Sequence, residues 1–170
     1  MIKKKSGQVL WITGLPGSGK TSIAKKINYH LKKKNIKYFE ISGDEIRKIF
    51  SFKKFDRKSR LEYAQFYSKL CKMLSDEGIN IIIYTVSLFH QVHRWNKKKI
   101  NNYKEIYIKS KLDDIISQKK KKLYLNKQNK NLVSKNIKAE YPINPHIIIE
   151  NKFDESVNSL SLKIIKKLKL

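Results

Sequence analysis

Gly14-Leu15-Pro16-Gly17-Ser18-Gly19-Lys20-Thr21 follows the apolar run Val9-Leu10-Trp11-Ile12 and leads into a helical pattern. These eight residues fit G-x-x-x-x-G-K-[ST], and a strand before with a helix after is the setting in which that pattern cradles phosphate. Glycine lets the backbone curl with its N–H groups turned inward, and a helix starting near Lys20 adds a partial positive charge at its N-terminus. Lys20 is then placed for the outer phosphates and the Thr21 hydroxyl for Mg²⁺. A Gly/Pro-rich turn after a strand can also be only a turn; agreement of the whole pattern with both flanks favours the phosphate reading.

Outward from the loop, helical and strand periods alternate as in an α/β protein. Ser22 to Lys33 predicts a helix with Ile23, Ile27 and Leu31 on one face. Lys37 to Ile41 predicts a strand, Asp56 to about Glu77 a long helix stopped by Gly78, and the apolar run Ile79 to Val86 a strand buried on both faces. Helix His90 to Lys99, strand Tyr103 to Ile108, helix Leu112 to Lys119, strand His146 to Ile149 and helix Glu155 to Leu168 complete the series. The expectation is one domain over residues 1–170: a doubly wound, five-stranded parallel sheet flanked by helices, with ligands at the carboxyl ends of the strands. Lys121 to Asn144 breaks the alternation. It is polar, ends around Pro142 and Pro145, and has too little apolar periodicity to bury a face. A connection this long is usually functional or disordered, and in a phosphotransferase its position suits a lid; a plain surface loop is the alternative.

Composition narrows the classes. Among 39 basic residues only Arg47, Arg57, Arg60 and Arg94 are arginines, against 14 acidic residues, for a formal charge of +25. Lysine in company with abundant Ile and Asn looks like a bias toward A/T-rich codons, and the lysine runs at 32–34, 97–99 and 119–122 fall at helix ends and in loops. With no zinc, helix-turn-helix or aromatic-interleaved basic pattern, nucleic acid is not the expected partner. The charge favours a small anionic substrate by steering. A single cysteine, Cys71, fits a core position in a reducing compartment. The basic start leads into the glycine loop without a cleavage site, and no apolar run nears the roughly 18 residues of a membrane span. A cytoplasmic protein without membrane contact is expected, with the terminal helix packed on the sheet. His90 and His93 lack a third ligand for a metal site, and Trp11 and Trp95 suit packing positions. Oligomeric state is not legible, and a homodimer stays open.

The glycine loop alone does not separate a phosphotransferase from an NTP hydrolase or a switch. Asp44 leaves the second strand beside the loop, and Arg47 follows one helical turn later. A carboxylate there can take the proton of an attacking hydroxyl or hold Mg²⁺, while an arginine can pin an acceptor phosphate. Asp44 could instead, or as well, cap the short helix that follows. Tyr84-Thr85-Val86-Ser87 ends its strand without the carboxylate that usually holds Mg²⁺ in NTP hydrolases, which favours a small-molecule kinase.

The run Gly7 to Thr21 resembles the opening of adenylyl-sulfate kinases. The resemblance continues through Gly43-Asp44-Glu45-Ile46-Arg47, Asp56-Arg57, Ser87-Leu88-Phe89, Tyr103 to Ile108, Lys121 with Leu123-Tyr124, and Glu140-Tyr141-Pro142 to Ile149-Glu150-Asn151. It implies a P-loop kinase that uses Mg-ATP to phosphorylate a ribose 3′-hydroxyl. It further implies Asp44 as base or Mg²⁺ anchor, Arg47, Arg57 and the Ser87-Leu88 region as holders of the acceptor nucleotide, Phe52 as a base-stacking platform, and Lys121 and Leu123 as parts of the lid.

The chain also departs from that family. Ser42-Gly43-Asp44 stands where the family has Asp-Gly-Asp, and Ser59-Arg60-Leu61-Glu62-Tyr63 where it has Glu-Asn-Ile-Arg-Arg. Leu132 replaces a second aromatic that would sandwich adenine, and Gln118-Lys119 replaces an Arg-Asp pair. A lost stacking partner is worth about 1 to 3 kcal/mol on the scale of single-stranded nucleic-acid platforms. Donor and reaction are thus expected to be retained and the acceptor to differ. The chain looks most similar to a branch of the family from capsule modification, the cytidine diphosphoramidate kinases, with Arg60 and Leu132 in the altered pocket. Adenosine 5′-phosphosulfate as acceptor is the alternative, and a nucleotide-dependent binding module without an acceptor is the non-enzymatic one.

Overall fold

The computed structural model describes residues 5–120, 133 and 137–170. Five parallel strands form one sheet in the order β2-β3-β1-β4-β5: β1 Val9–Gly14, β2 Phe39–Ser42, β3 Ile81–Thr85, β4 Tyr103–Lys109 and β5 Ile147–Glu150. The helices are α1 Lys20–Lys33, α2 Gly43–Ile49, α3 Arg57–Asp76, α4 His90–Lys99, α5 Leu112–Ile115 and α6 Val157–Leu168. The doubly wound expectation holds, and β1 lies centrally, with Thr13 beside Thr85 of β3 and Gly14 beside Ile108 of β4.

Alternation along the central strands feeds two cores. Leu10 and Ile12 of β1, Ile82 of β3 and Ile106 and Ile108 of β4 pack with Ile23, Ile27 and Leu31 of α1 and Leu160 and Ile164 of α6. Val9 and Trp11, with Ile81 and Ile83, face the other way onto Tyr67 and Cys71 of α3 and Val92 of α4. Full burial of each such side chain contributes about 1.5 to 3 kcal/mol, so the two layers hold the sheet. Trp11, Cys71 and the α6 face are core, as the periodicity predicts, and burial pushes the Cys71 thiol well above its ordinary range.

One charged residue is built into that packing. Glu105 of β4 is fully buried, accepting from Tyr103 Oη at 3.1 Å, lying 3.2 Å from Lys97 Nζ and pairing with His93 Nδ1. Burial alone would raise its carboxyl, but His93 and Lys97 outweigh burial and hold it below the ordinary glutamate value. His93 is thereby committed to a structural pair, while His90 Nε2 lies 2.9 Å from the Tyr141 carbonyl.

Three local expectations are corrected. The cap of α2 is Ser42, whose Oγ accepts from Glu45 N–H at 3.3 Å, and Asp44 lies in the first turn instead. The helix expected over Leu112 to Lys119 is α-helical only to Ile115 and continues as a π-turn over Ile116–Lys120. The last helix begins at Val157 because the Ser156 side chain accepts from Ser159 N–H at 3.1 Å.

Candidate active site

The loop from Gly14 to Thr21 joins β1 to α1 at the carboxyl end of the sheet. Gly17 and Gly19 have φ of 82° and 91°, in the left-handed region that favours glycine. Close approach also matters, since a Cβ on Gly14 would meet Ile108 O at 2.4 Å and one on Gly19 would meet Asn151 Nδ2 at 2.8 Å. Lys20 is buried, and its ammonium donates to Leu15 O at 2.6 Å, so it folds back across its own loop. Ser18 is fully buried, its hydroxyl without a hydrogen-bond partner among the described residues. Thr21 is exposed in the first turn of α1. These residues come together as the pattern predicts.

Asn151, just after β5, clamps the loop. Its amide donates to Ser18 O at 3.0 Å, its backbone N–H bonds Lys109 O at 2.8 Å, and its Oδ1 accepts from Phe153 N–H at 3.0 Å. Asn151 falls in a stretch that carries the family resemblance, but its clamping role is not legible there, because its partner lies 133 positions earlier.

A second group gathers two strands away from the loop. Gly43 packs against Thr85, and Tyr67 Oη donates to Gly43 O at 3.0 Å, which fixes the start of α2. Asp44 is exposed and ion-paired with Arg47. The Arg47 and Arg60 guanidiniums lie 5.5 and 5.4 Å from the centre of the Phe55 ring, and Arg60 Nε donates to Phe55 O at 2.8 Å. Burial and the neighbouring Arg47 both lower the Arg60 value. Asp56 caps α3 through Ser59 and so sets Arg57 and Arg60 in the first turn.

Phe52 does not stand as an open platform. Tyr63 stacks on it with ring centres 4.3 Å apart and planes 2° apart, and Phe50 and Phe66 complete an aromatic cluster. Tyr63 and Phe55 are therefore site-lining candidates that spacing alone did not single out. Their role depends on how the loop between α2 and α3 folds back on α3.

Between these groups run Ser87 and Leu88. Ser87 is fully buried, with its carbonyl 3.4 Å from the Thr13 hydroxyl. Leu88 packs with Leu15, Ile115, Val133 and Ile137. The segment read as having too little apolar periodicity to bury a face thus contributes Val133 and Ile137 to an apolar cluster that reaches the glycine loop. Lys121, Leu123 and Leu132 lie outside the described residues. Arg57 pairs with Glu140 and lies with its guanidinium 5.5 Å from the centre of the Phe89 ring. Among the described residues no group of His, Cys, Asp and Glu forms a ready metal cage. Within them no helix is long and apolar enough to cross a membrane.

Residues 6–150 match the family profile described as adenylylsulphate kinase. A cytidine diphosphoramidate kinase from Campylobacter jejuni is 35% identical over 98% of this chain and 99% of its own length. A probable adenylyl-sulfate kinase from Aeropyrum pernix is 28% identical over 92% of this chain and 90% of its own. In fold, the chain is similar to the Mycobacterium tuberculosis APS kinase CysC in complex with AMPPNP and APS, with a TM-score of 0.85 at 22% identity, covering 97% of this chain and 99% of that one.

Proposed function

The chain belongs to the adenylylsulphate kinase family and is a kinase, and from that premise we propose that it phosphorylates the ribose 3′-hydroxyl of cytidine diphosphoramidate with ATP. On this reading the loop amides and Lys20 hold the β- and γ-phosphates, the ammonium exchanging the Leu15 carbonyl for phosphate oxygen. Asp44 orients or deprotonates the attacking hydroxyl for in-line transfer, and Arg47, Arg57 and Arg60 hold the acceptor's anionic groups. Ser87, Leu88, Lys121, Leu123 and Leu132 are assigned to the acceptor pocket and lid.

The residues present suit Mg²⁺. Thr21 and Asp44 offer exposed hard oxygen donors, Thr21 next in the chain to the buried Lys20. When bound, the ion would neutralise charge on the transferring phosphoryl group.

One observation carries the choice of acceptor: the Tyr63 ring lies flat on Phe52, where the family resemblance puts the base. With Tyr63 on one face, Phe52 has at most its other face for a base, and a single aromatic wall suits a pyrimidine; the similarity to the Campylobacter jejuni kinase points the same way. The alternative acceptor is adenosine 5′-phosphosulfate, supported by the retained Gly43-Asp44 and Arg47. Coupled ADP release with Mg-ATP against both compounds separates them. The expected outcome is a higher kcat/KM for cytidine diphosphoramidate. The opposite preference would establish the sulfate reading, and silence with both would refute both acceptors.

A further inference from the structure

Glu140 joins elements that are distant in sequence. Its Oε1 accepts from Arg57 Nη2 at the start of α3, and its Oε2 accepts from His90 N–H at 2.8 Å at the start of α4. Its own N–H donates to Leu88 O at 3.0 Å. Helix α4 has no side-chain cap of its own, because Phe89 occupies the capping position. Glu140 supplies the missing acceptor from 50 residues away, and a carboxylate is favoured at a helix N-terminus.

The backbone that carries Glu140 is fastened along the same helix. Tyr141 O meets His90 Nε2 at 2.9 Å, and Lys97 in the last turn donates to both Ile143 O and Asn144 O at 2.8 Å. Arg57 is held from two sides, by this carboxylate and by the Phe89 ring, yet its side chain stays 53% exposed. A guanidinium has five donors, and Glu140 engages one nitrogen. The carboxyl of Glu140 is held below the ordinary glutamate value: burial opposes this, and the His90 N–H and Arg57 outweigh burial.

We infer that Glu140 is a positioning residue for the acceptor, fixing the Arg57 guanidinium against Phe89 as a preformed fork for an anionic phosphate group. The inference rests on the reading of Arg57 as an acceptor ligand. Preorganisation of this kind removes the ordering cost of a long side chain at the moment of binding.

Calorimetry under saturating Mg-AMPPNP, with cytidine 5′-diphosphate and adenosine 5′-phosphosulfate as probes, tests it. Glu140→Gln keeps an oxygen for His90 N–H and removes the charge that holds Arg57. Its probe Kd should rise roughly tenfold, the order of one charge-assisted hydrogen bond, while the Mg-AMPPNP Kd stays within about twofold. Arg57→Ala should weaken the probe as well, and the double variant should be no weaker than Arg57→Ala alone. Additive losses would assign Glu140 a merely structural role, and unchanged probe binding in Glu140→Gln with a loss in Arg57→Ala would overturn this inference alone. Unchanged binding in Arg57→Ala, or no probe binding by the wild type, would overturn the acceptor reading and this inference with it. The unfolding temperature of Glu140→Gln should fall only slightly, since the acceptor for His90 N–H survives while the charge favoured at the helix start is lost.

Discussion

Asp44 stands at the exposed start of α2, ion-paired with Arg47. Because the cap belongs to Ser42, removing the Asp44 charge leaves the helix start intact. Asp44→Asn should therefore lower kcat by about two orders of magnitude or more, the range of a positioned acid or base, with ATP affinity nearly unchanged. Single-turnover and steady-state ADP release measure it, and near-normal turnover would remove Asp44 from the chemistry. The glycine loop was legible because eight consecutive residues carry all of its geometry. The Phe52–Tyr63 stack was not, since two rings eleven positions apart meet only when the chain between α2 and α3 folds back. Ser42 is a milder case: it was noted for the carboxylate it replaces, while its capping role follows from its place before α2.

At the level of elements, β4 and α4 are joined through Glu105, His93 and Lys97. A carboxyl held below its ordinary value of 4.5 binds fewer protons folded than unfolded, so its stabilisation is present above that value and lost as pH falls below it. His146 adds in the same direction: burial, then Lys104 and Lys97, lower its value below 6.5. Glu105→Gln should cost about 3 to 5 kcal/mol near neutrality, because His93 and Lys97 lose a buried partner. It should also flatten the decline of stability below pH 4.5. Urea unfolding across that range measures both, and an unchanged acid decline would show that Glu105 does not govern it. The strands were legible from alternation and burial, and their ends shifted by one or two residues because pairing, which periodicity does not report, decides where a strand stops. The π-turn over Ile116–Lys120 has no counterpart in the residue pattern.

Across the whole molecule, fold class followed from the order of elements, whereas the apolar cluster beside the glycine loop did not. Val133 and Ile137 are four apart in a polar stretch, and their burial depends on Leu15 and Leu88 from other parts of the chain. Asn151 is the sharper example. Asn151→Ala removes the amide that holds Ser18 O, and should weaken Mg-AMPPNP binding roughly tenfold, the order of one buried hydrogen bond together with its stranded partner. Calorimetry checks this, and an unchanged Kd would refute the clamp. The clamp also imposes an order in time. Synthesis from the N-terminus makes the phosphate loop early and its fastening 133 residues later, so a growing chain that has not yet reached Asn151 carries the loop without its clamp.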